Sequence, residues 1–337
     1  MIVHEKSRSL GGALVSAALL SAGVVMAYEH MAAPPPVHVP VERQLPGGAE
    51  DDAVVTALSS GADGSALRAI VARRDPAGGF VWRRTCTGSG AMSEPRTAVG
   101  TDGTVIVGLT FEGAIDCGAG PIVSAGGAGD FDALVLALDR RGEIRWTVPV
   151  SDLGSQAVAA VALDPWGSVL VAGSFEGTIT LGGPPLAAET ERDILLAKLD
   201  ADGRFIWQRR FGGAAPSFGV DVDVTRSGRV LLLSRGAGDI DAVGSDRPPT
   251  GSAAFLSAMS PAGQPLWSRR FGGPGGDIHP ARVRAIPGNQ VLVTGTFTGM
   301  WSSLFSRVPS MCWSCHIHCL PITNISIPSF GIVRTLT

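Results

Sequence analysis

The sequence predicts an all-β chain built from repeated antiparallel units, and three observations carry that reading. First, Asp139-Arg-Arg-Gly142-Glu-Ile-Arg-Trp146 recurs as Asp75/Gly78/Trp82, as Asp200/Gly203/Trp207 and, with serine in place of aspartate, as Ser260/Gly263/Trp267. The four tryptophans are separated by 64, 61 and 60 residues, and a fixed period of that length marks a repeat architecture. Second, strand runs such as Val169-Leu-Val-Ala172 are apolar on both faces instead of alternating, which suits sheets stacked face to face. Third, 41 of the 45 glycines lie between Gly47 and Gly299, where turns recur. Dense glycine with regular β punctuation reads as folded repeats.

Each element of a repeat has a physical reading. Leu134 to Leu138, and Ile194 to Leu199 one period later, read as a first strand. In the turn that follows, the aspartate can hydrogen-bond its own backbone and the glycine three residues on tolerates a positive φ, which suits a short hairpin loop. The next strand carries the tryptophan, whose ring can fill the gap between neighbouring sheets while its indole N–H finds an acceptor. It ends twice as Arg-Phe-Gly-Gly, at 210–213 and 270–273. A third strand, such as Val158 to Leu163, leads through Asp164-Pro-Trp-Gly167 into a fourth, Ser168 to Ser174, followed by Phe175-Glu-Gly177 and its counterparts at Phe111 and Phe297. Four short antiparallel strands per unit is the content of one propeller blade. The expected fold is therefore a β-propeller-like array of about four four-stranded blades, over 61–120, 125–183, 188–244 and 251–299, forming an incomplete ring.

From the start of the chain, Lys6-Ser-Arg8, an apolar run from Leu10 to Ala27 and small residues at Val25 and Ala27 read as an export signal over 1–27. An uncleaved anchor is the alternative, since that run is at the lower limit for spanning a bilayer. Residues 28–60 form a lead-in that is rich in proline from Ala33 to Pro46. The first repeat holds Cys86 where Phe211 and Phe271 fall, and Cys117 where Leu181 falls. In an exported chain two such replacements read as a disulfide, with a pair of buried free thiols as the other reading. The net charge of −3 gives no electrostatic footprint for nucleic acid. After Gly299 the character changes: residues 300–337 contain no Asp or Glu, one glycine and three of the five cysteines. The expectation is a non-repeat tail from a reading-frame change or damaged gene end, disordered and without function.

Chemistry-bearing constellations are few. Cys312-Trp-Ser-Cys315-His316 has the spacing used to attach c-type haem, and with His318 and Cys319 it could instead offer zinc ligands. The surrounding tail is short for wrapping a haem and shows no helical periodicity. His279 is the sole histidine of the repeat region, which leaves acid–base chemistry one candidate without an evident partner. Glu112 and Glu176 recur at equivalent repeat positions, which points to structure. Gly129-Asp-Phe-Asp132 and Asp239-Ile-Asp241 fall short of the oxygen ligands calcium takes, so Asp132 and its equivalent Asp193 read as turn caps. No nucleophile elbow or phosphate-binding loop is present. No catalytic residue and no cofactor is therefore expected.

The ordered landmarks, an apolar strand ending in Leu-Asp, the Asp-x-x-Gly turn, Trp, Phe-Gly-Gly, Gly-x-Val-x-Val and Phe-x-Gly, resemble the SBBP-type β-propeller repeats of exported and cell-surface bacterial proteins over Gly61 to Gly299. Ser234-Arg-Gly236 departs from the Phe-x-Gly landmark. That resemblance implies an exported, non-catalytic module, periplasmic or at the cell surface, that binds or scaffolds a protein or glycan and keeps no membrane span after signal cleavage. Ala137 to Trp146 also resembles the tryptophan-docking motif of pyrroloquinoline quinone dehydrogenases, shortened by one residue. The rival it implies is a propeller-based redox protein, quinoprotein-like or carrying haem c on Cys312, Cys315 and His316. Cys86 and Cys117 are not vicinal, unlike the cysteines of those quinoproteins.

Overall fold

The computed structural model describes residues 53–59, 66–127, 129–212, 216–236, 253–271, 278–286 and 290–296, with the backbone alone of 41–44, 60, 277, 297–298 and 329–335. The expected export signal, most of the proline-rich lead-in, Asp239-Ile-Asp241 and the Cys312-Trp-Ser-Cys315-His316 motif lie outside the described residues. Among those described, the secondary structure is all strand, and no helix is long and apolar enough to cross a membrane.

Five antiparallel sheets of three or more strands follow one another along the chain, with one separate two-stranded hairpin. The first is built from β1 (Val41–Gln44), β2 (Ala53–Ser60), β3 (Leu67–Arg74) and β4 (Phe80–Gly88). The second begins with β5 (Arg96–Val99) and β6 (Val105–Glu112); a hairpin of β7 (Ala114–Asp116) and β8 (Pro121–Val123) then joins the first sheet beside β4, making it six-stranded, and β9 (Phe131–Leu138) and β10 (Ile144–Val150) complete the second. The third has β11 (Gln156–Leu163) and β12 (Val169–Phe175), an inserted hairpin of β13 (Thr178–Ile179) and β14 (Leu186–Ala187), then β15 (Asp193–Leu199) and β16 (Phe205–Phe211). The fourth is β17 (Ser217–Val224), β18 (Val230–Gly236), β19 (Ala253–Met259) and β20 (Pro265–Phe271). The fifth has three strands, β21 (Asp277–Ile286), β22 (Gln290–Thr298) and β23 (Ser329–Thr335).

The sheets are offset by half a period from the sequence repeats. Each of the second to fourth sheets joins the last two strands of one repeat to the first two of the next, so the tryptophan strand is the last of its sheet. With the offset, a fifth sheet appears where about four blades were expected. The tail, expected to add no strand, supplies β23: the apolar run around Ile332 and Val333 pairs with Val293 and Leu292 of β22. That pairing satisfies edge donors and acceptors of β22 that would otherwise need water.

Packing follows from strands that are apolar on both faces. β12 and β15 are buried along their whole length, as strands covered on both sides should be. Four apolar clusters join the five sheets in succession: Val71 with Leu109 and Leu136, Val135 with Val161 and Val171, Leu196 with Val222 and Leu232, and Leu256 with Val283 and Val293. Among the described residues no cluster joins the fifth sheet to the first. The fold is a propeller-like array without a closed barrel.

One irregularity recurs. In every tryptophan strand the ladder slips by one residue just before the ring: Arg74 pairs with Phe80 and Arg73 with Trp82, and the same step brackets Arg145, Ile206 and Leu266. A bulge of this kind twists the strand and re-aims the following side chain. The skipped Val81, Ile206 and Leu266 are thrown out to solvent, and the tryptophan is turned toward the next sheet.

Candidate functional site

The repeated Asp-x-x-Gly and Trp residues meet, though across sheets. Trp82 Nε1 donates to the Arg140 carbonyl at 3.0 Å, Trp146 Nε1 to Ala201 at 2.9 Å and Trp207 Nε1 to Pro261 at 3.1 Å. Each acceptor follows the Asp or Ser of the next sheet's turn. The aspartate shapes that turn: Asp139 Oδ1 accepts from Arg141 N and Glu143 N, and Asp200 Oδ1 from Asp202 N and Arg204 N. These bonds from Glu143 and Arg204 hold the carboxyls of Asp139 and Asp200 below the usual range. Ser260 Oγ plays the same part for Gln264 N. The turn glycines have φ of 79° at Gly142, 80° at Gly203 and 76° at Gly263, and a Cβ there would fall 2.7, 2.7 and 2.9 Å from the docked ring. Glycine is therefore required twice over, for the left-handed backbone and for the flat seat under the indole. Arg84 Nε and Arg209 Nε, two residues beyond their tryptophans, each donate at 3.1 Å to the carbonyl of that same glycine.

Cys86 and Cys117 form a disulfide, with Cα atoms 4.0 Å apart. Both are buried in the cluster between the first two sheets. The expectation put them in one blade. Cys86 lies on β4 of the first sheet and Cys117 follows β7, whose hairpin with β8 falls between β6 and β9 in sequence but extends that same first sheet beside β4. The pairing runs through Thr87↔Asp116 and Gly88↔Ile115.

The acidic residues at the opposite hairpin ends are caps. Asp193, fully buried, accepts from Glu189 N, Thr190 Oγ1 and Arg210 Nη1; burial alone would raise its pKa, but these partners hold it below the usual range. Asp132 accepts from Ala125 N and Ser151 Oγ. Glu112 takes Gly129 N at 2.7 Å, and Glu176 pairs with Arg192. His279 Nδ1 lies 3.0 Å from Arg235 Nη1. Among the described residues no group of three or more His, Cys, Asp or Glu is placed to hold a metal.

What sequence reasoning missed is a cavity of about 650 Å3 at the end of the array that carries the turns, between the second, third and fourth sheets. It is lined by Asp102, Arg145, Asp164, Trp166, Thr225 and Arg226, among others. Trp166, in the first hairpin of the third sheet, rests on Gly228 of the fourth and remains 64% exposed. The carboxylates are committed. Asp102 accepts from Thr104 N at 3.0 Å and Thr104 Oγ1 at 2.7 Å; burial raises its pKa, and the Thr104 bonds outweigh that to leave it low. Asp164 accepts from Trp166 N and Ser168 N and pairs with Lys198 Nζ at 2.8 Å, both partners being buried. A Trp within a turn was the available signal, but only the fold shows that its ring borders a cavity.

No family model matches the chain, and no curated protein matches it. Among solved structures it is similar to an α-L-arabinofuranosidase, Arb93A from Fusarium graminearum, at 10% identity, TM-score 0.48, over 88% of this chain and 76% of that one. It is also similar to an apocarotenoid oxygenase variant from Synechocystis, at 12% identity, TM-score 0.41, over 77% of this chain and 55% of that one. A third is the hydrazine synthase of Kuenenia stuttgartiensis, at 14% identity, TM-score 0.34, over 71% of this chain and 75% of that one. The chain thus spans little more than half the length of the oxygenase.

Proposed function

We propose that this chain is an exported, non-catalytic binding module of the SBBP-type propeller class, and that a glycan occupies the cavity between its second, third and fourth sheets. The observation that carries the reading is Trp166, whose ring is seated on Gly228 and keeps an exposed face at the cavity. A cavity of several hundred Å3 with an apolar wall and a few polar groups is the usual form of a small-molecule site. An aromatic face suits the C–H surface of a sugar ring, and the exposed Arg226 offers hydrogen bonds to its hydroxyls. Binding is favoured over turnover because Asp102 and Asp164 already have partners, so neither is a poised acid or base. The disulfide supports export, since such bonds persist in oxidising compartments.

The test is a glycan array followed by calorimetric titration of the best ligand. Trp166→Ala should weaken binding by about 30-fold, the loss typical of a central aromatic anchor, and Arg226→Ala by less, with no cleavage of the ligand by the intact chain. A ligand bound equally by the intact chain and Trp166→Ala, or one that is turned over, contradicts the reading.

A further inference from the structure

Asp132 on β9 and Asp193 on β15 stand at equivalent places, each two residues before the leucine that pairs with the outer strand, Leu134 with Pro149 and Leu195 with Arg210. Both carboxylates are fully buried, but only one is neutralised. Asp193 has both oxygens taken, Oδ1 by Thr190 Oγ1 at 2.6 Å and Oδ2 by Glu189 N at 2.8 Å and Arg210 Nη1 at 2.9 Å. At Asp132 the arginine's place holds Pro149 and the threonine's place holds Gly129. Its Oδ2 keeps Ala125 N at 2.7 Å and the Ser151 hydroxyl, while Oδ1 is buried without a partner. A carboxylate taken out of water without a counter-charge is strongly unfavourable.

A second carboxylate shares the place. Asp130 Oδ2 is also buried and unpartnered. It converges with Asp132 on one short loop: Asp132 Oδ2 takes the N–H of Ala125, and a Cβ on Gly126 would fall 1.7 Å from Asp130 Oδ2. Burial pushes the Asp130 carboxyl up, and the charges of Asp132 and Glu176 push it the same way, against the Ser155 hydroxyl. Arg192 is committed to Glu176, and among the described residues no arginine, lysine or histidine pairs with Asp130 or Asp132. In the sequence this stretch shows only two carboxylates; the hydroxyls come from beyond β10, Ser151 on Asp132 and Ser155, which accepts from Phe131 N at 3.4 Å. Buried carboxylate oxygens without donors, hydroxyls around them and no cation are the conditions of a hard-cation site.

We propose that a calcium ion binds here, held by Asp132 Oδ1 and Asp130 Oδ2, with the hydroxyls of the surrounding serines and water completing its shell. The ion supplies the positive charge that Arg210 supplies to Asp193. Calcium suits the place better than magnesium, because it accepts about six to eight oxygens in a flexible geometry while magnesium demands a near-ideal octahedron. Two carboxylates are a low ligand charge, which puts the dissociation constant at about 0.1–1 mM.

Calorimetric titration of calcium chloride into the chelator-stripped full chain reads the site, with magnesium chloride as the comparison and melting as an independent readout. Calcium should bind and raise the melting temperature, and magnesium at the same concentration should do less. Asp130→Asn, at a half-buried position, should weaken calcium binding about tenfold or more by removing one charged ligand. Pro149→Arg, at an exposed position on an edge strand, installs the guanidinium that Asp193 has. It should abolish calcium binding and, without calcium, melt higher than the intact chain does. Far-UV circular dichroism confirms that both variants fold. An intact chain that binds no calcium, one that responds equally to magnesium, or a pair of folded variants that both bind calcium as the intact chain does would each overturn the proposal.

Discussion

At the scale of single residues, the turn glycine shows how position in the array decides what a substitution does. Gly78 and Gly142 have nearly the same φ, 82° and 79°, but Gly142 carries the Trp82 ring and Gly78 carries none among the described residues. Gly78→Ala should therefore cost about 1 kcal/mol, the penalty of a left-handed non-glycine. Gly142→Ala should cost about 3 kcal/mol, because the methyl also displaces a packed ring. Urea denaturation of the two variants checks this, and equal losses would mean that the seat under the indole is unimportant. Much of this pair was legible: the eight-residue pattern identified the turn, the need for positive φ and an indole seeking an acceptor. That the acceptor lies 54 to 58 residues ahead, in the next sheet, was not, since the pattern marks both partners without saying which copy of one meets which copy of the other.

Strands and hairpins were legible where apolar runs end at Gly and Asp, and the strands fall close to the runs read as strands. Two features were not legible. The bulge before each tryptophan leaves no local mark, because the skipped residue is Val81, Arg145, Ile206 or Leu266 and those share no chemistry. Nor does the sequence show where the chain crosses from one sheet to the next: the β7–β8 hairpin falls between two strands of the second sheet yet pairs with the first. Cys86 and Cys117 clasp that hairpin to β4, beside two residues of strand pairing. With a sequence separation of 31 between them, the bond should contribute about 3 kcal/mol by restricting the unfolded chain. Guanidinium denaturation with and without reductant should show a difference of that size while the native far-UV spectrum is unchanged. A reduced chain of equal stability would leave the clasp without mechanical weight.

For the whole molecule, the period predicted an all-β array of propeller sheets, and the array is there with one more sheet than expected, because β23 pairs beside β22. The tail lacked every repeat landmark, and a backbone edge accepts an apolar strand without requiring them. Centrally, Trp82, Trp146 and Trp207 lock neighbouring sheets through an indole N–H on the next sheet's turn, while Trp267 packs against the cluster between the fourth and fifth sheets and makes no such bond among the described residues. Denaturation of Trp82→Phe, Trp146→Phe, Trp207→Phe and Trp267→Phe in dilute solution tests it most directly, since phenylalanine keeps the apolar ring and removes only the indole donor and some area. The first three should each lose about 1–2 kcal/mol, the worth of the hydrogen bond with some packing, and Trp267→Phe about 0.5 kcal/mol, since it gives up packing against the cluster between the fourth and fifth sheets without an indole hydrogen bond. A loss at Trp267 equal to the others, or none at Trp82, Trp146 and Trp207, would contradict it.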